Sequence, residues 1–378
     1  MIAAEEPVAV ASRRHAGPRL RVAVLNYALP VPGRKWGGVD RVAHELADAL
    51  SRRGHSVTVF AHDPRPAGAQ YRVEALPWRR FVSTWLGRRV TMGYLGNLLM
   101  LRVPTDGYDV AIVHGDNLLF PLAGLPFVRV VHGTALQEAT SATSIGRFVL
   151  QSGIYLQELL SAATHRATVG VSRNTAAYNP FVRRVIANGV NRDVFHPDEG
   201  ARHRTPSLVF VGTLTGRKRG QWLLDRFRSV IRPAVPGAEL HMVSAPGAPC
   251  EGVTYHEGVS DGVLAGLYRR AWLYVSPSTY EGFGLPYLEA LACGTPVVAT
   301  PNPGSREVLA DGGGVLCGDA DLAPTTIRLL QDGAARRALA RAGLQVAARY
   351  DLTSVVDEYE ALLWELVNHR PRKASDAR

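Results

Sequence analysis

The sequence predicts an α/β protein built from two doubly wound, Rossmann-like domains in tandem. Three observations lead there. The chain has 378 residues, too many for one compact core and suited to two domains of ordinary size. Short apolar runs are each followed by a helix-period pattern, the βαβ rhythm of a parallel sheet. That rhythm breaks at a polar stretch, residues 196–206, and then begins again.

Taken in order, residues 1–18 carry Glu5, Glu6, Arg13 and Arg14 without a long apolar block. They read as a loose tail and not as a secretory signal. The first domain is expected over 19–200. Residues 20–27 form its first strand. Val39, Val42, Ala43, Leu46 and Leu50 then recur at helical spacing up to Gly54. Strands are expected at 56–61, 109–114, 128–132 and 168–172. The second domain, 201–350, opens with a strand at 207–212 and continues at 239–244, 272–276 and 296–300. In the last stretch Val355, Val356, Tyr359, Leu362, Leu363 and Leu366 make one stripe of an amphipathic helix over 351–369. A polar tail, 370–378, follows it.

Composition narrows the function classes. A hydrophobic fraction of 46% allows both halves real cores. No run approaches the roughly 20 apolar residues that span a bilayer. Cys250, Cys293 and Cys317 lie far apart, with no metal-ligand or redox spacing, and fit small core residues in a reducing cytosol. Of the formal charge of +10, a surplus of eight falls in residues 1–200 and two in 201–378. The first half can therefore face an anionic acceptor or headgroup surface, or simply carry a solvated basic face. Trp78, Arg79, Arg80, Phe81, Trp85, Arg88 and Arg89 interleave aromatics with cations. They suit an anionic membrane, or an ordinary helix with core aromatics and a wet basic side. No nucleic-acid module accompanies them, so no nucleic-acid partner is expected. The expected location is cytoplasmic, with peripheral contact at the inner face of the membrane.

The segment with the most chemistry is 276–300, SPSTYEGFGLPYLEALACGTPVVAT. Gly282 and Gly284 permit a tight backbone, and Pro286 suits a first helical turn. Gly294 and Pro296 end the helix before a β-branched strand. A strand, a glycine loop and a helix N-terminus thus meet, offering unpaired N–H groups and about half a positive charge to a diphosphate. Glu281 and Glu289 flank the loop. Carboxylates there can hold vicinal hydroxyls; on spacing alone Glu281 could equally cap the helix and Glu289 lie on the surface. A second loop, Gly212-Thr213-Leu214-Thr215-Gly216-Arg217-Lys218-Arg219-Gly220, follows the strand at 207–212. Its three consecutive cations suit a phosphate, although it is neither a Walker loop nor a dinucleotide fingerprint. Gly37-Gly38, just before Val39-Asp40-Arg41, lets backbone approach a ligand or gives a flexible loop. His132 ends a strand at the carboxyl edge, where open α/β sheets bind ligands; His114 ends the strand before it.

Glu281-x7-Glu289, with Gly282-Phe283-Gly284-Leu285-Pro286 and Ala292-Cys293-Gly294-Thr295-Pro296, closely resembles the signature of glycosyltransferase family 4. These are retaining, metal-independent enzymes of the GT-B fold, in which two Rossmann-like domains face each other across a cleft. The resemblance implies that Glu289 holds the donor ribose, that Glu281 contacts the hexose, and that Phe283, Gly284 and Leu285 present backbone amides. Lys218 matches a family lysine on the diphosphate. Thr213 stands where the family usually has arginine, so that contact is missing or moves to Arg217 or Arg219. By the same resemblance Gly37 and Gly38 close over the donor phosphate, His132 lines the sugar site, and the backbone around His256 and Gly258 reads the base. The C-terminal helix crosses back to the first domain.

The implied reaction moves a hexosyl group from a nucleoside diphosphate sugar, by family frequency a UDP-sugar, to an acceptor hydroxyl with retention. Glu281, His132 and Lys218 are its candidate catalytic residues. No cofactor and no metal are expected, and the isolated Asp319-x-Asp321 reads as incidental. The acceptor could be a lipid-linked sugar, a polysaccharide or a secondary-metabolite aglycone. The alternatives are a non-catalytic binding subunit on the same fold, for which Thr213 speaks, and a sugar-nucleotide epimerase or phosphorylase.

Overall fold

The computed structural model describes residues 19–31, 37–76, 82–85, 88–91, 102–115, 124–140, 145–163 and 167–369. The expected tails at 1–18 and 370–378, and Trp78 to Phe81 of the aromatic–cationic stretch, lie outside the described residues.

Two parallel sheets form the framework. The first contains β1 (Arg21–Leu25), β2 (Ser56–Ala61), β3 (Arg72–Ala75), β6 (Val110–His114), β7 (Phe127–Val131), β8 (Thr168–Gly170) and β9 (Arg184–Val185). Their order is β3-β2-β1-β6-β7-β8-β9. The second contains β10 (Ser207–Val211), β11 (Glu239–Val243), β12 (Val253–His256), β13 (Leu273–Ser276), β14 (Val297–Ala299) and β15 (Gly314–Leu316), in the order β12-β11-β10-β13-β14-β15. In each sheet the chain builds outward on one side of its first strand and then returns to the other side. That reversal leaves a crevice beyond the carboxyl ends, between β1 and β6 and between β10 and β13.

The central strands are legible because they are apolar on both faces. Val22, Ala23, Val24 and Leu25 of β1 are all buried, as are Val110 to Val113 of β6 and Leu273 to Ser276 of β13. Such strands gain hydrophobic stabilisation from layers on either side, which requires covering helices. One correction concerns the aromatic–cationic stretch. Instead of a helix, β4 (Val82–Trp85) and β5 (Arg88–Thr91) pair antiparallel as a hairpin. Val82, Thr84, Val90 and Thr91 are β-branched and, with Trp85, favour the extended backbone. A second correction concerns the cysteines: Cys293 is buried, but Cys250 and Cys317 are only half-buried.

The stretch at 196–206 is polar but fixed. Arg202 donates from Nη2 to the Gly294 carbonyl at 2.8 Å, and Trp272 donates from Nε1 to the His203 carbonyl at 2.7 Å. The chain then returns to its start. The Leu352–Asn368 helix lies on the first sheet's side, where Glu360 accepts from Arg53 at 2.8 Å and meets His55 Nε2 at 3.1 Å. His55 Nδ1 accepts the Leu20 amide at 3.2 Å, which leaves the proton on Nε2 for Glu360. Val356, Tyr359 and Leu363 join one apolar cluster that includes both Val22 of β1 and Leu288 of the second domain. No helix among the described residues is long and apolar enough to cross a membrane.

The return depends on Gly189, where a Cβ would sit 2.7 Å from Leu352 Cα. Gly189→Ala should therefore destabilise by about 1–3 kcal/mol through overpacking against backbone. Gly262→Ala, which meets nothing within 4 Å, should leave stability unchanged or raise it. Chemical denaturation of the two variants checks this contrast.

Candidate functional site

The site grows from the carboxyl ends of β10 and β13, on either side of the second reversal point. After β13 the chain forms the glycine loop and enters the Leu285–Ala292 helix, with Pro286 in its first turn. Gly284 begins that helix at φ 97°, and a Cβ there would lie 2.4 Å from the Tyr287 ring. Only glycine fits both constraints. Phe283 turns its ring inward against Tyr350, with centroids 5.7 Å apart, so its backbone is what the loop presents.

The loop after β10 packs directly onto this one. Gly212 leaves no room for a Cβ, which would fall 2.8 Å from Phe210 and 2.9 Å from Lys218. The Thr279 amide donates to the Arg217 carbonyl at 2.9 Å, tying the two loops together. Arg217 and Lys218 then converge on one carboxylate: Arg217 Nη1 lies 2.9 Å from Glu281 Oε2, and Lys218 Nζ 2.5 Å from Glu281 Oε1. Ser278 donates to Oε1 as well, at 2.8 Å. Burial alone would raise the Glu281 pKa, but Lys218 and Arg217 outweigh it and hold the carboxyl below its ordinary range. Glu281 is thus a buried anion with two cations beside it, and it does not cap the helix.

The neighbouring residues of this loop behave differently. Arg219 adopts a left-handed backbone at φ 55° and turns outward to pair with Asp319 at 2.6 Å, its guanidinium stacked 4.5 Å above Trp222. Of the two arginines expected near a diphosphate, Arg217 faces the site and Arg219 does not. Asp319 thus has a structural partner in Arg219. Thr213 donates its hydroxyl to the Thr215 carbonyl at 2.7 Å and shapes the turn.

Glu289 is 3% exposed, so the surface alternative fails. Its Oε1 lies 2.6 Å from Arg41 Nη1, and Tyr268 donates to Oε2 at 3.2 Å. Arg41 belongs to the Gly38–Arg52 helix of the first domain, which carries Gly37 and Gly38 at its start. The same guanidinium meets Glu45 at 3.1 Å and Asp261 at 3.4 Å. Burial raises Glu289, with Arg41 opposing the shift, and burial likewise pushes Glu45 up to about 7. Sequence reasoning missed Arg41. Its only signal is an arginine beside the apolar stripe of the helix, with a glutamate four residues on, which reads as an ordinary surface pair.

The first domain closes the other side. A Cβ on Gly38 would lie 3.7 Å from Leu285, and one on Gly282 would lie 2.6 Å from the His132 carbonyl. Tyr280 places its hydroxyl 3.4 Å from the Thr134 amide. His132 stacks on His114, with Nε2 2.8 Å from His114 Nδ1. Burial pushes the His132 imidazole down to about 4, so it is neutral at neutral pH and acts as a hydrogen-bonding group. Gly37, Gly38, His132, Phe283, Gly284, Leu285, Arg217, Lys218, Glu281 and Glu289 therefore gather where the two domains meet. His256 and Gly258 lie farther out, at the end of β12; His256 turns its ring to His241, and Gly258 sits at φ 63°. A cavity of 760 Å³ lies elsewhere, beyond β2 and β3, lined by His62, Arg65, Arg72 and Glu74 among others.

Comparison with known proteins places this geometry. Residues 36–194 match the profile described as Glycosyltransferase Family 4, and residues 205–332 the one described as Glycosyl transferases group 1. A D-inositol 3-phosphate glycosyltransferase of Segniliparus rotundus is 28% identical, covering 94% of this chain and 92% of its own. A phosphatidyl-myo-inositol mannosyltransferase of Propionibacterium freudenreichii is 25% identical over 86% of this chain and 91% of its own. Among solved structures, sucrose-phosphate synthase from Thermosynechococcus elongatus superposes with a TM-score of 0.75 at 20% identity, covering 93% of this chain and all of that one. It shares the two-domain GT-B fold.

The Arg41 cluster yields a direct test. Arg41→Met leaves buried carboxylates without their cation and should cost about 3–5 kcal/mol in chemical denaturation. Adding Glu289→Gln to that variant should recover part of the loss, because one of the uncompensated charges is gone.

Proposed function

We propose that this chain, which belongs to glycosyltransferase family 4, moves a hexosyl group from a UDP-sugar to an acceptor hydroxyl with retained anomeric configuration. The observation that carries the reading is the convergence of Lys218 and Arg217 on Glu281 beside the glycine loop and the start of the Leu285–Ala292 helix. In the proposed reaction the bond from the anomeric carbon to the diphosphate breaks, and its electron pair stays on the departing oxygen. The acceptor oxygen bonds to that carbon and passes its proton to the departing diphosphate. Charge grows on the diphosphate as the bond opens. Lys218, Arg217 and the helix start would stabilise that charge electrostatically, which supplies the role a metal ion plays elsewhere.

In this reading Phe283, Gly284 and Leu285 offer backbone amides, while Gly37 and Gly38 approach from the first domain. Glu281 takes the hexose hydroxyls and Glu289 the ribose. The backbone about His256 and Gly258 meets the base, and neutral His132 lines the sugar. The relatives' names mention two phosphorylated inositols, one of them a lipid. We carry over that class, a polyol bearing phosphate, as the acceptor; it agrees with the basic surplus of the first half. Lipid-linked sugars, polysaccharides and aglycones form the comparison arms of an acceptor panel.

The membrane-facing reading gains a specific surface. Along the Ile145–Ala163 helix, Ile145, Phe148, Val149, Leu156 and Leu160 fall on one stripe and are all exposed, Ile145 at 84%. Tyr155 donates to the Tyr178 carbonyl at 2.6 Å, which joins the helix to a segment exposing Phe181, Arg183 and Arg184. An apolar stripe beside arginines suits the interface of an anionic bilayer.

Incubation with a panel of nucleotide sugars should release nucleotide with a UDP-sugar in preference to a GDP-sugar, and the release should persist in EDTA. Lys218→Ala should lower turnover about 10²–10³-fold, whereas Asp321→Ala should leave it intact. Loss of activity with the chelator would refute metal-independent transfer, and product NMR showing the inverted anomer would refute retention. Separately, the protein should cosediment with vesicles containing anionic lipid. Phe148→Ser with Val149→Ser should abolish that binding without changing nucleotide release on a water-soluble acceptor.

A further inference from the structure

A second cluster lies away from the cleft, at the amino end of β11. Glu239 and His241 are two residues apart on that strand and share one face of the sheet. His203 approaches from the segment that leads into β10, held by its amide on the Arg270 carbonyl at 3.0 Å. His203 Nδ1 is 3.7 Å from Glu239 Oε2, and His241 Nε2 is 3.8 Å from the same oxygen. All three ligand atoms fall within 4.8 Å of one another, and the two rings meet edge to face at 5.4 Å. These separations exceed hydrogen-bonding distance, so the three groups point at a common space without satisfying each other.

The protonation pattern of His241 is informative. Its Nε2 is sealed from solvent and has no hydrogen-bond partner. Its Nδ1 lies 3.2 Å from His256 Nε2. With the proton of that hydrogen bond on His241 Nδ1, Nε2 keeps a bare lone pair aimed at Glu239 and His203. A hydrogen bond at the far nitrogen that fixes tautomer and ring angle is how metal-binding histidines are held.

We propose that His203, Glu239 and His241 bind a divalent transition-metal cation of the zinc class, with a fourth position open to water beside the half-exposed Glu239. Two imidazoles and one carboxylate favour zinc, copper or nickel over magnesium or calcium, which take oxygen ligands. Tetrahedral ligands at zinc distances lie about 3.4 Å apart, so each glutamate–histidine gap closes with a shift of roughly 0.4 Å, within the reach of the half-exposed Glu239. The two histidine nitrogens, within 4.8 Å of each other, approach by at most about 1.4 Å. The ion would pin the segment entering the second domain onto β11 and, through His256, onto the end of β12. The ion lies apart from Glu281 and Lys218 but is linked by His256 to the β12 end proposed for the base. The two proposals are therefore separated with His203→Ala, which removes the ion without touching the proposed donor site and should still release nucleotide in EDTA.

The test uses the untagged full chain, stripped with a chelator and dialysed, and needs no sugar nucleotide. Calorimetric titration with Zn²⁺ should show one tight equivalent and raise the melting temperature by several degrees, and Mg²⁺ should not compete. Co²⁺ should give the intense visible absorption of a four-coordinate ion. His203→Ala and His241→Ala should each weaken binding at least a hundredfold, Glu239→Gln at least tenfold, and His256→Ala about 10–100-fold. If His241→Ala does not fold, the two less buried positions, His203 and Glu239, decide the matter. No stoichiometric binding, a hydrated Co²⁺ spectrum, or affinity that survives both His203→Ala and Glu239→Gln would overturn the proposal.

Discussion

Arg41 carries its charge into a dry interface, where Glu289 at 2.6 Å, Glu45 at 3.1 Å and Asp261 at 3.4 Å surround it. Removing a guanidinium from water is costly, and the carboxylates offset that cost only if the geometry holds. Burial drives Glu45 and Glu289 toward their neutral forms, Arg41 opposes that shift, and the neighbouring carboxylates add to it. The two halves of the cleft are thus joined by a charge cluster in addition to apolar contact. Opening the junction would rehydrate the buried members of that cluster, which offsets part of the attraction lost. An interface of this kind can hold and still part. In the proposed reading, a ribose reaching Glu289 has to displace or share Arg41.

The same logic governs the cations beside the glycine loop. Glu281 is a buried carboxylate that needs counter-charge, and Lys218 and the half-exposed Arg217 supply it. In the proposed reading the site is therefore built before any phosphate arrives, and little rearrangement is needed when negative charge develops there. Ser278 completes the arrangement by spanning Glu281 and the Arg217 carbonyl, at 2.8 Å and 3.3 Å. The strand-to-helix turns that hold these groups rest on glycines whose replacement would strike Phe210 or Tyr287.

Much of this was legible in the sequence, for reasons specific to each element. Strands buried on both faces, such as β1, β6 and β13, announce themselves as continuous apolar runs, and their ends were overshot by only a residue or two. β3 and β15 escaped notice because neither is fully buried; the first reads as exposed at three of its four residues. The hairpin of β4 and β5 was misjudged because interleaved arginines imitate a helix with a wet face. In the site, the unbroken stretch 276–300 and the lysine of the preceding loop were recognisable, since local turn chemistry fixes them. What no linear reading could supply was the pairing of Arg41 with Glu289, 248 positions apart. Nor could it foretell the outward turn of Arg219, which follows from a left-handed backbone and the position of Asp319.

The crossing of the last helix back onto the first domain has a mechanical consequence. The chain passes between the domains twice, and the two passages run side by side: the Val190 amide donates to the Tyr350 carbonyl at 2.8 Å, and the Leu352 amide to the Val190 carbonyl at 3.1 Å. A single tether would let one lobe swivel freely. A two-ply ribbon bends easily about one axis and resists torsion about the other. Any excursion of the lobes would have to bend both plies together, and a return to this arrangement would re-form the contacts of Gly38 with Leu285 and of Gly282 with His132.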